Sequence, residues 1–250
     1  MILSVVIPAY NEEESLPTTV NEIYNKLVEE DIQHEILVVN DNSKDRTLEV
    51  LAELQKVTPS LKFITNTGPN GFGYAVRKGL ENFSGDCVAV MMADMSDSPD
   101  DLVKFYRTLI EKNVDSVFGS RFMPGGGVYD YPKFKLFMNR IFNFMIRVFF
   151  KLKYNDTTNA FKLYKKETIE GLKPFLSPHF NLTIELPLKV IIRGYTYAIV
   201  PNSWRNRQFG IAKLKIKEMG SRYMFIFLYC LIEKFFSQKD FVKKEVHVKA

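Results

Sequence analysis

The strongest constraint on the fold is an alternation, in the first half of the chain, of short apolar runs with longer amphipathic patterns. Strands are predicted over residues 3–7, 35–39, 63–65, 87–92 and 114–118, and helices over residues 13–30, 45–55, 73–83 and 99–112. Strands that are apolar along their whole length are typical of a parallel sheet covered by helices on both faces. We therefore predict an α/β fold with a mostly parallel sheet, in which ligands bind at the carboxyl ends of the strands.

The pattern changes after Gly119. A glycine run at residues 125–127 precedes a stretch at 133–153 that is unusually rich in Phe, Met and Ile. Further strands are predicted over residues 161–164 and 195–200, further helices over 183–193 and 215–236, and the charged end at 237–250 is expected to fray. We expect one domain over residues 1–214, which includes the helix at 133–153, and a helical tail over residues 215–250.

Composition narrows the class of protein. The chain of 250 residues is 46% apolar and can fill a full core, while its net charge of +5 is too modest to indicate a nucleic-acid partner. Cys87 and Cys230 lie far apart and form neither a metal motif nor a disulfide framework, so a reducing compartment is expected. The N-terminus lacks a signal-peptide pattern, and no stretch reaches the ~20 apolar residues of a membrane span. We expect a cytoplasmic protein, at most peripheral to a membrane.

Polar residues follow the first two strands. Pro8, Ala9, Tyr10 and Glu12 come after the first strand, where an aromatic ring can stack on a nucleobase and a carboxylate can accept hydrogen bonds. An ordinary turn into a helix would carry the same residue types, so this motif alone decides nothing.

The second strand is followed by Asn40 and Asp41, and Asp41 either accepts from the N–H of a nucleobase or serves only the turn. We interpret Ser43 and Asp45 as caps of the next helix.

A glycine-rich segment precedes the third helix. Gly71, Gly73 and Ala75 lead into a helix that carries Arg77 and Lys78. Glycines allow backbone N–H groups to approach a phosphate, and a helix N-terminus favours anions. The same glycines could simply make a turn.

Clustered carboxylates follow the fourth strand. The segment contains Ala93, Asp94, Ser96 and Asp97. Oxygen ligands suit Mg²⁺ or Mn²⁺ bridging to a diphosphate. We assign Asp100 and Asp101, which follow, to the start of the next helix, where acidic residues complement the helix dipole.

Two further basic elements are candidates for phosphate binding. Arg121 follows the fifth strand, and an arginine can hold a phosphate with two parallel hydrogen bonds. A late loop carries Arg207 and Lys213 beside aromatic residues. We interpret this loop as a phosphate clamp that closes over a donor.

In this order the motifs resemble the family 2 glycosyltransferases, and within them the dolichyl- and polyprenyl-phosphate mannose synthases. The match runs from Val5 to about Leu214, and residues 155–162 are similar to that family's Ser-Asp-Pro-Thr-Ser-Gly-Phe-Arg stretch. The resemblance implies a GT-A-like, Rossmann-type fold with C-terminal amphipathic helices. It implies a donor site formed by Pro8, Ala9, Tyr10, Glu12, Asn40, Asp41, Gly71, Gly73, Ala75, Lys78, Ala93 and Lys213. It also implies that Asp94, Arg121 and Arg207 take part in catalysis and that Arg121, Arg140 and Asn143 bind the acceptor.

The implied reaction is an inverting transfer from a GDP- or UDP-linked sugar to a polyprenyl- or dolichyl-phosphate acceptor. Such an acceptor is already anionic and needs no general base. The implied cofactor is Mg²⁺ or Mn²⁺, held by Asp94, Ser96 and Asp97. The chain departs from the family's Asp-x-Asp motif, because Met92 stands at its first position.

Residues 133–153 combine many large apolar side chains with interspersed Lys and Arg, which indicates a helix lying in an anionic membrane surface. A buried core helix is the alternative, with its cations directed outward. Residues 223–236 could form a second such element or a contact with another copy or a membrane protein. The expected location is the inner face of a membrane.

Three other functions remain open. The acceptor could be a sugar hydroxyl in surface polysaccharide or lipid-linked oligosaccharide assembly, for which Glu185 is the candidate base, although we favour a helix-surface position for it. The missing acid at Met92 also allows a non-catalytic nucleotide-sugar-binding subunit. A nucleotidyltransferase is disfavoured, because its glycine-rich loop should follow the first strand.

Overall fold

The computed structural model describes residues 1–206 and 216–243, with the backbone alone at 216–219. The strands are β1 (Leu3–Ala9), β2 (His34–Asn40), β3 (Leu61–Thr65), β4 (Cys87–Val90), β5 (Ser116–Ser120), β6 (Gly127–Tyr129), β7 (Lys162–Lys165), β8 (Tyr197–Pro201) and β9 (Ser203–Arg205). The helices are α1 (Leu16–Glu29), α2 (Thr47–Val57), α3 (Phe72–Asn82), α4 (Pro99–Glu111), α5 (Lys133–Phe150), α6 (Lys166–Gly171), α7 (Leu182–Ile192) and α8 (Ile216–Phe236).

Seven strands form one sheet in the order β3-β2-β1-β4-β7-β5-β8. Within it β7 runs antiparallel to both neighbours, while the other pairs are parallel. The predicted α/β class and mostly parallel sheet are therefore confirmed. Strands β6 and β9 pair separately as a small parallel sheet, and neither was predicted from the sequence.

Helices cover both faces of the sheet, as predicted. Residues on one face of β1, such as Val5 and Ile7, pack with α1, α2 and α4. Val6 points to the opposite face and packs with α3, α6 and α7. This alternation explains why the central strands are largely apolar on both faces, since successive side chains enter different cores.

A third core cluster joins α5, α7 and α8, and includes Ile146, Leu188 and Cys230. An ion pair inside this region fixes α8: the Arg193 Nε and Nη2 atoms donate to the Glu233 carboxylate at 2.6 and 3.0 Å. Helix α8 thus shares a core with the preceding chain, while the division at residues 1–214 and 215–250 stays a proposal. Within the described ranges no helix is long and apolar enough to cross a membrane.

Removal of one partner of this pair is expected to destabilise the fold. Glu233→Ala leaves the Arg193 guanidinium, which is 1% exposed, without its carboxylate. Loss of one member of a buried pair costs about 3–5 kcal/mol. We expect a corresponding fall in the free energy of unfolding, measured by urea denaturation. Lys173→Ala, which breaks an exposed pair with Glu170, is the control and should cost less than about 1 kcal/mol. Equal effects of the two changes would show that α8 is not anchored by Arg193.

The structure tests the predictions for helix caps and for the end of one helix. Asp100 and Asp101 lie in the first turn of α4, as expected, and Ser98 caps this helix by accepting from the Asp100 backbone N–H at 3.2 Å. The prediction that Ser43 caps α2 is wrong, because its hydroxyl accepts from the Asn11 N–H at 3.0 Å and so ties the first two strand-end loops together. Helix α5 ends at Phe150 rather than 153, because Lys151 adopts a left-handed conformation with φ of 56°.

Candidate active site

The predicted site residues gather at the carboxyl edge of the sheet. Strands β1, β2, β4 and β5 run in the same direction, so the segments after Ala9, Asn40, Val90 and Ser120 meet at one edge. Backbone hydrogen bonds join them: the Asp41 N–H donates to the Ala9 carbonyl at 2.8 Å. The fold therefore brings the candidate donor, metal and catalytic residues of these loops to a single crevice.

Asp41 holds the glycine-rich segment in place. Its Oδ1 accepts from the Asn66 side-chain amide and its Oδ2 from the Gly71 N–H, both at 2.7 Å. The neighbouring Asn40 carboxamide accepts from the Ser43 N–H at 3.1 Å. Both side chains thus stabilise the turn through hydrogen bonds. A contact of Asp41 with a nucleobase would be additional to these bonds.

Close packing accounts for the two glycines of that segment. A Cβ on Gly73 would lie 2.5 Å from the Ser177 carbonyl, and one on Gly71 would lie 2.7 Å from the Pro178 carbonyl. Gly71 also has φ of 155°, which disfavours any side chain. The loop at 177–179 thus requires these glycines independently of a phosphate.

The remaining donor-side residues differ in accessibility. Ala75 is fully buried in a core cluster, so its side chain supports α3 rather than facing a ligand. Glu12 is also buried, and its Oε2 accepts from the Ser15 hydroxyl at 2.9 Å. Pro8, Tyr10 and Lys78 are half-buried. Among the donor-side residues of the described segments, these three keep partly accessible side chains at or near the crevice.

The acidic loop after β4 is largely buried. The Asp94 Oδ1 accepts from the Ser96 N–H at 3.2 Å, and the Asp97 Oδ2 accepts from the Met92 N–H at 3.1 Å. Burial raises the pKa of Asp97 to about 7, and the charge of Asp94 adds to this rise. The Ser96 hydroxyl is buried and has no hydrogen-bond partner among the described residues.

This loop fits a hard divalent cation that also binds a substrate diphosphate. The part of the chain that the structure describes has no group of three His, Cys, Asp or Glu side chains placed to hold a metal alone. Mg²⁺, however, is usually held by one or two carboxylates together with phosphate oxygens and waters. Asp94 and Asp97 would supply the carboxylates, and the Ser96 hydroxyl, unpaired among the described residues, would supply a further oxygen.

Asp101 lies at the start of α4, as predicted, but has a second duty. It is 3% exposed, and its Oδ2 accepts from the Ser203 N–H at 2.8 Å. It thereby fixes β9 beside the acidic loop. There the backbones of Asp97 and Trp204 pair in an isolated antiparallel β-bridge.

Arg121 forms a buried salt bridge with Asp156. Its Nε and Nη2 donate to the two carboxylate oxygens at 2.8 and 2.7 Å, and its backbone N–H donates to Oδ2 at 2.9 Å. Arg121 is 7% exposed and Asp156 is fully buried. We expected this edge of the guanidinium to bind a phosphate. In the structure its Nε and Nη2 atoms bind the Asp156 carboxylate instead.

The two other acceptor-side candidates differ sharply. Asn143 is buried and structural: its Nδ2 donates to Asn139 and Thr158, and its Oδ1 accepts from the Thr157 hydroxyl at 2.7 Å. Arg140 is exposed, and its guanidinium carbon lies 4.4 Å from the centre of the Phe122 ring. Of these two side chains, Arg140 is the one placed to meet an anionic group.

The preferred surface position of Glu185 is wrong. The residue is fully buried, and its oxygens accept from the Leu176 N–H at 2.8 Å, the Ser177 N–H at 2.7 Å and Lys189 Nζ at 2.6 Å. Glu185 therefore shapes the loop that packs on Gly71 and Gly73. Such a carboxylate is poorly suited to be a general base.

Arg207 and Lys213, predicted as a phosphate clamp, lie outside the described residues. The sequence prediction also missed a group of polar residues behind the crevice. These are Asp156, Asn159, Lys162 and Asn202. The polar turn at 155–159 was visible in the sequence, but nothing local indicated which strand ends it would contact.

The fold and the crevice define a GT-A-like α/β enzyme with an acidic loop at the edge of its sheet. The chain belongs to glycosyl transferase family 2, whose family model matches residues 4–172, and it is a glycosyltransferase. The resemblance predicted from the motifs is thereby confirmed.

Two relatives illustrate the family. The chain is 33% identical over 221 residues to the dolichol-phosphate mannosyltransferase of Pyrococcus furiosus, a match that covers 87% of this chain and 60% of that protein. It is 30% identical over 216 residues to the polyprenol monophosphomannose synthase of Mycolicibacterium smegmatis, with 84% and 80% covered. The chain thus spans somewhat less than two thirds of the archaeal relative.

Solved structures confirm the fold. Glucosyl-3-phosphoglycerate synthase from Mycobacterium tuberculosis, in complex with Mn²⁺, UDP-glucose and phosphoglyceric acid, superposes with a TM-score of 0.67. The match covers 93% of this chain and 79% of that one at 16% identity, so it supports the architecture alone.

Proposed function

We propose that this glycosyltransferase moves a sugar from a nucleotide diphosphate sugar to a polyprenyl- or dolichyl-phosphate lipid. The observation that carries the choice of acceptor is the burial of Glu185 beneath three hydrogen bonds. A hydroxyl acceptor needs a base to remove its proton, whereas a phosphate is already ionised. The names of the two relatives favour the same acceptor and favour mannose as the sugar.

The donor would lie along the ends of β1, β2 and β4. Tyr10 would stack on the base, and Asp41 and the neighbouring polar groups would bind the nucleoside. We assign Asp94, Ser96 and Asp97 to a Mg²⁺ or Mn²⁺ ion, which would neutralise charge on the diphosphate when bound. Arg207 and Lys213 remain our candidates for the clamp on the donor phosphates.

The acceptor phosphate would enter from the side of α5. Arg140 would bind this phosphate. Arg121 would attract it through its positive charge and through guanidinium N–H groups that do not bind Asp156. Attack on the face opposite the leaving diphosphate would invert the anomeric centre. This geometry needs the acceptor and the diphosphate on opposite sides of the sugar, as Arg140 and Asp94 would place them.

A membrane surface is the proposed partner of α5 and α8. Both helices expose large apolar side chains: Phe134, Phe137, Met138, Ile141, Phe144, Val148 and Phe149 on α5, and Met224, Phe225, Leu228, Ile232, Phe235 and Phe236 on α8. The helices touch through a stack of Phe142 on Tyr223 with 5.4 Å between ring centres. We call these two exposed faces together the apolar platform. Soluble monomers seldom expose so large an apolar area without a partner.

Cations on α5 favour an anionic lipid surface over a second protein copy. Lys133, Arg140, Arg147 and Lys151 are exposed on the helix or directly after it. Each such cation near an anionic surface contributes about 1 kcal/mol, and the cytoplasmic leaflet carries anionic lipid. We therefore propose peripheral attachment at the inner face of the membrane, through the apolar platform.

A transfer assay tests the proposed acceptor. GDP- and UDP-linked sugars would each be supplied with Mg²⁺ or Mn²⁺ and polyprenyl phosphate in anionic vesicles. We expect labelled sugar on the lipid phosphate with one donor. The matched control is the unphosphorylated polyprenol of the same length, which should accept at least about 100-fold less. Transfer to a sugar hydroxyl instead, with none to the phosphate, would reject the proposal.

A further inference from the structure

The turn at residues 155–159 connects every element on the acceptor side of the crevice. Asn155 and Asp156 bind Ser120 and Arg121 at the end of β5. The Asn159 carboxamide donates to Asn202 after β8 at 3.0 Å. The same turn reaches α5, because Thr157 and Thr158 bind Asn143. Any change in its shape would therefore move Arg121 and α5 together.

Lys162 lies directly beneath this turn. It is 1% exposed, on β7. Its ammonium donates to the Thr157 carbonyl at 3.1 Å, to the Asn159 carbonyl, and to the Thr183 carbonyl of α7 at 3.1 Å. An ammonium carries three N–H donors, so all three are matched by carbonyl acceptors. The charged side chain thus ties the second half of the turn to α7.

We propose that Lys162 is a positioning residue for sugar transfer, whose charged ammonium holds the 155–159 turn in the shape that seats Arg121 and α5 on the acceptor side. The kinetic part of this inference rests on the proposed function. Within the described residues, the hydrogen bonds of the turn given above run to the ends of β5 and β8 and to α5. The acceptor side should therefore respond to Lys162 more strongly than the donor side.

The protonation state of Lys162 provides a signature of this role. Burial lowers its pKa to about 7. The charge of Arg121, directly after β5, adds to this shift, while Asp156 on the turn and Asp97 after β4 oppose it. On the remaining sides Thr183 offers only a carbonyl, and the Tyr154 ring centre lies 6.0 Å away. A neutral amine has two N–H groups, so one carbonyl loses its donor as the pH rises. Acceptor-side function should weaken above neutral pH.

Stability should move in the other direction. The pKa of Lys162 is lower in the folded chain than its ordinary value of 10.5, so between about 7 and 10.5 the unfolded chain binds more protons. The contribution of this residue to the free energy of unfolding therefore rises with pH in that window. A loss of turnover without a fall in thermal midpoint would distinguish loosening of the turn from unfolding.

The test uses Lys162→Met and Lys162→Arg in the full chain, with Lys165→Met as the control on the same strand. We expect Lys162→Met to lower kcat/KM for polyprenyl phosphate at least tenfold and to change the donor KM less than twofold. From pH 6.5 to 9 the turnover of the wild type should fall relative to that of Lys162→Arg, which stays charged throughout and shares the titration of Asp97. Hydrogen exchange of the 155–160 backbone should accelerate about tenfold in Lys162→Met, with no change in α1–α3.

Each outcome of these measurements supports or overturns the proposed role of Lys162. An unchanged exchange rate of the 155–160 backbone in Lys162→Met, or a kcat/KM for polyprenyl phosphate within twofold of the wild type, would overturn the positioning role. If Lys162→Met does not fold, the exchange rate of the wild-type turn at the two pH values, corrected for intrinsic exchange, makes the same decision. If no lipid phosphate accepts sugar at any pH, the proposed acceptor fails, while the exchange measurement still decides whether Lys162 holds the turn.

Discussion

Asp94→Ala is expected to reduce kcat by about 10³-fold at saturating donor and divalent ion, equivalent to ~4 kcal/mol of transition-state stabilisation. Asp94 lies 8% exposed in the loop after β4, at the sheet edge where the diphosphate is proposed to sit. With Met92 at the family's first acidic position, this loop has one carboxylate fewer than the usual motif, so the loss of Asp94 should not be compensated. Initial rates over a range of Mn²⁺ concentrations provide the measurement.

Asp100→Ala is the matched control for this change. Its side chain is 68% exposed, and it pairs with Lys26 on the outer side of α4. We expect kcat within twofold of the wild type. If Asp94→Ala also stayed within tenfold, Asp94 would not be a metal ligand, and Asp97 would remain as the one assigned carboxylate. A wild type that binds the donor yet transfers nothing would instead favour the non-catalytic alternative.

The order of strands and helices could be predicted because each element carries its own signal. Continuous apolar runs indicated β1, β2 and β4, and Pro99 after Ser98 marked the start of α4. The direction of β7 was not predictable in this way. Its four residues, Lys162–Lys165, carry no signal of strand direction. The antiparallel pairing with β4 and β5 depends on where α5 returns the chain.

The site was predicted as a set of residue types, without their partners. Arg121 was expected from its place after a strand, but its pairing with Asp156 involves residues 35 positions apart. Glu185 and Lys189 have the spacing of an exposed helical ion pair, i and i+4. They are fully buried because the third core cluster encloses α7, a tertiary effect that helical spacing cannot reveal.

Phe137→Ser combined with Phe144→Ser is expected to weaken binding to anionic vesicles by about 100-fold. These side chains are 61% and 67% exposed on one face of α5, so their loss removes little from the core. Insertion of a Phe into an apolar environment contributes about 1.5–3 kcal/mol, and two partly inserted rings should contribute ~3 kcal/mol together. Vesicle sedimentation over a range of lipid concentrations gives the affinity, and a thermal melt verifies that the fold is kept.

The choice of these positions matters, because neighbouring phenylalanines on α5 have opposite roles. Phe150 is 3% exposed and packs against Phe227 with 5.7 Å between ring centres, so a change at Phe149 and Phe150 together would confuse membrane binding with loss of α8. Leu48→Ser with Val57→Ser, both exposed on α2 on the other face of the sheet, is the control and should leave binding unchanged.

If the double Phe change instead converted a dimer to a monomer without altering vesicle binding, the apolar platform would be an interface between copies. Retention of transfer to lipid phosphate in detergent by the same variant would show that the platform delivers the enzyme to its substrate and is not needed for the chemistry.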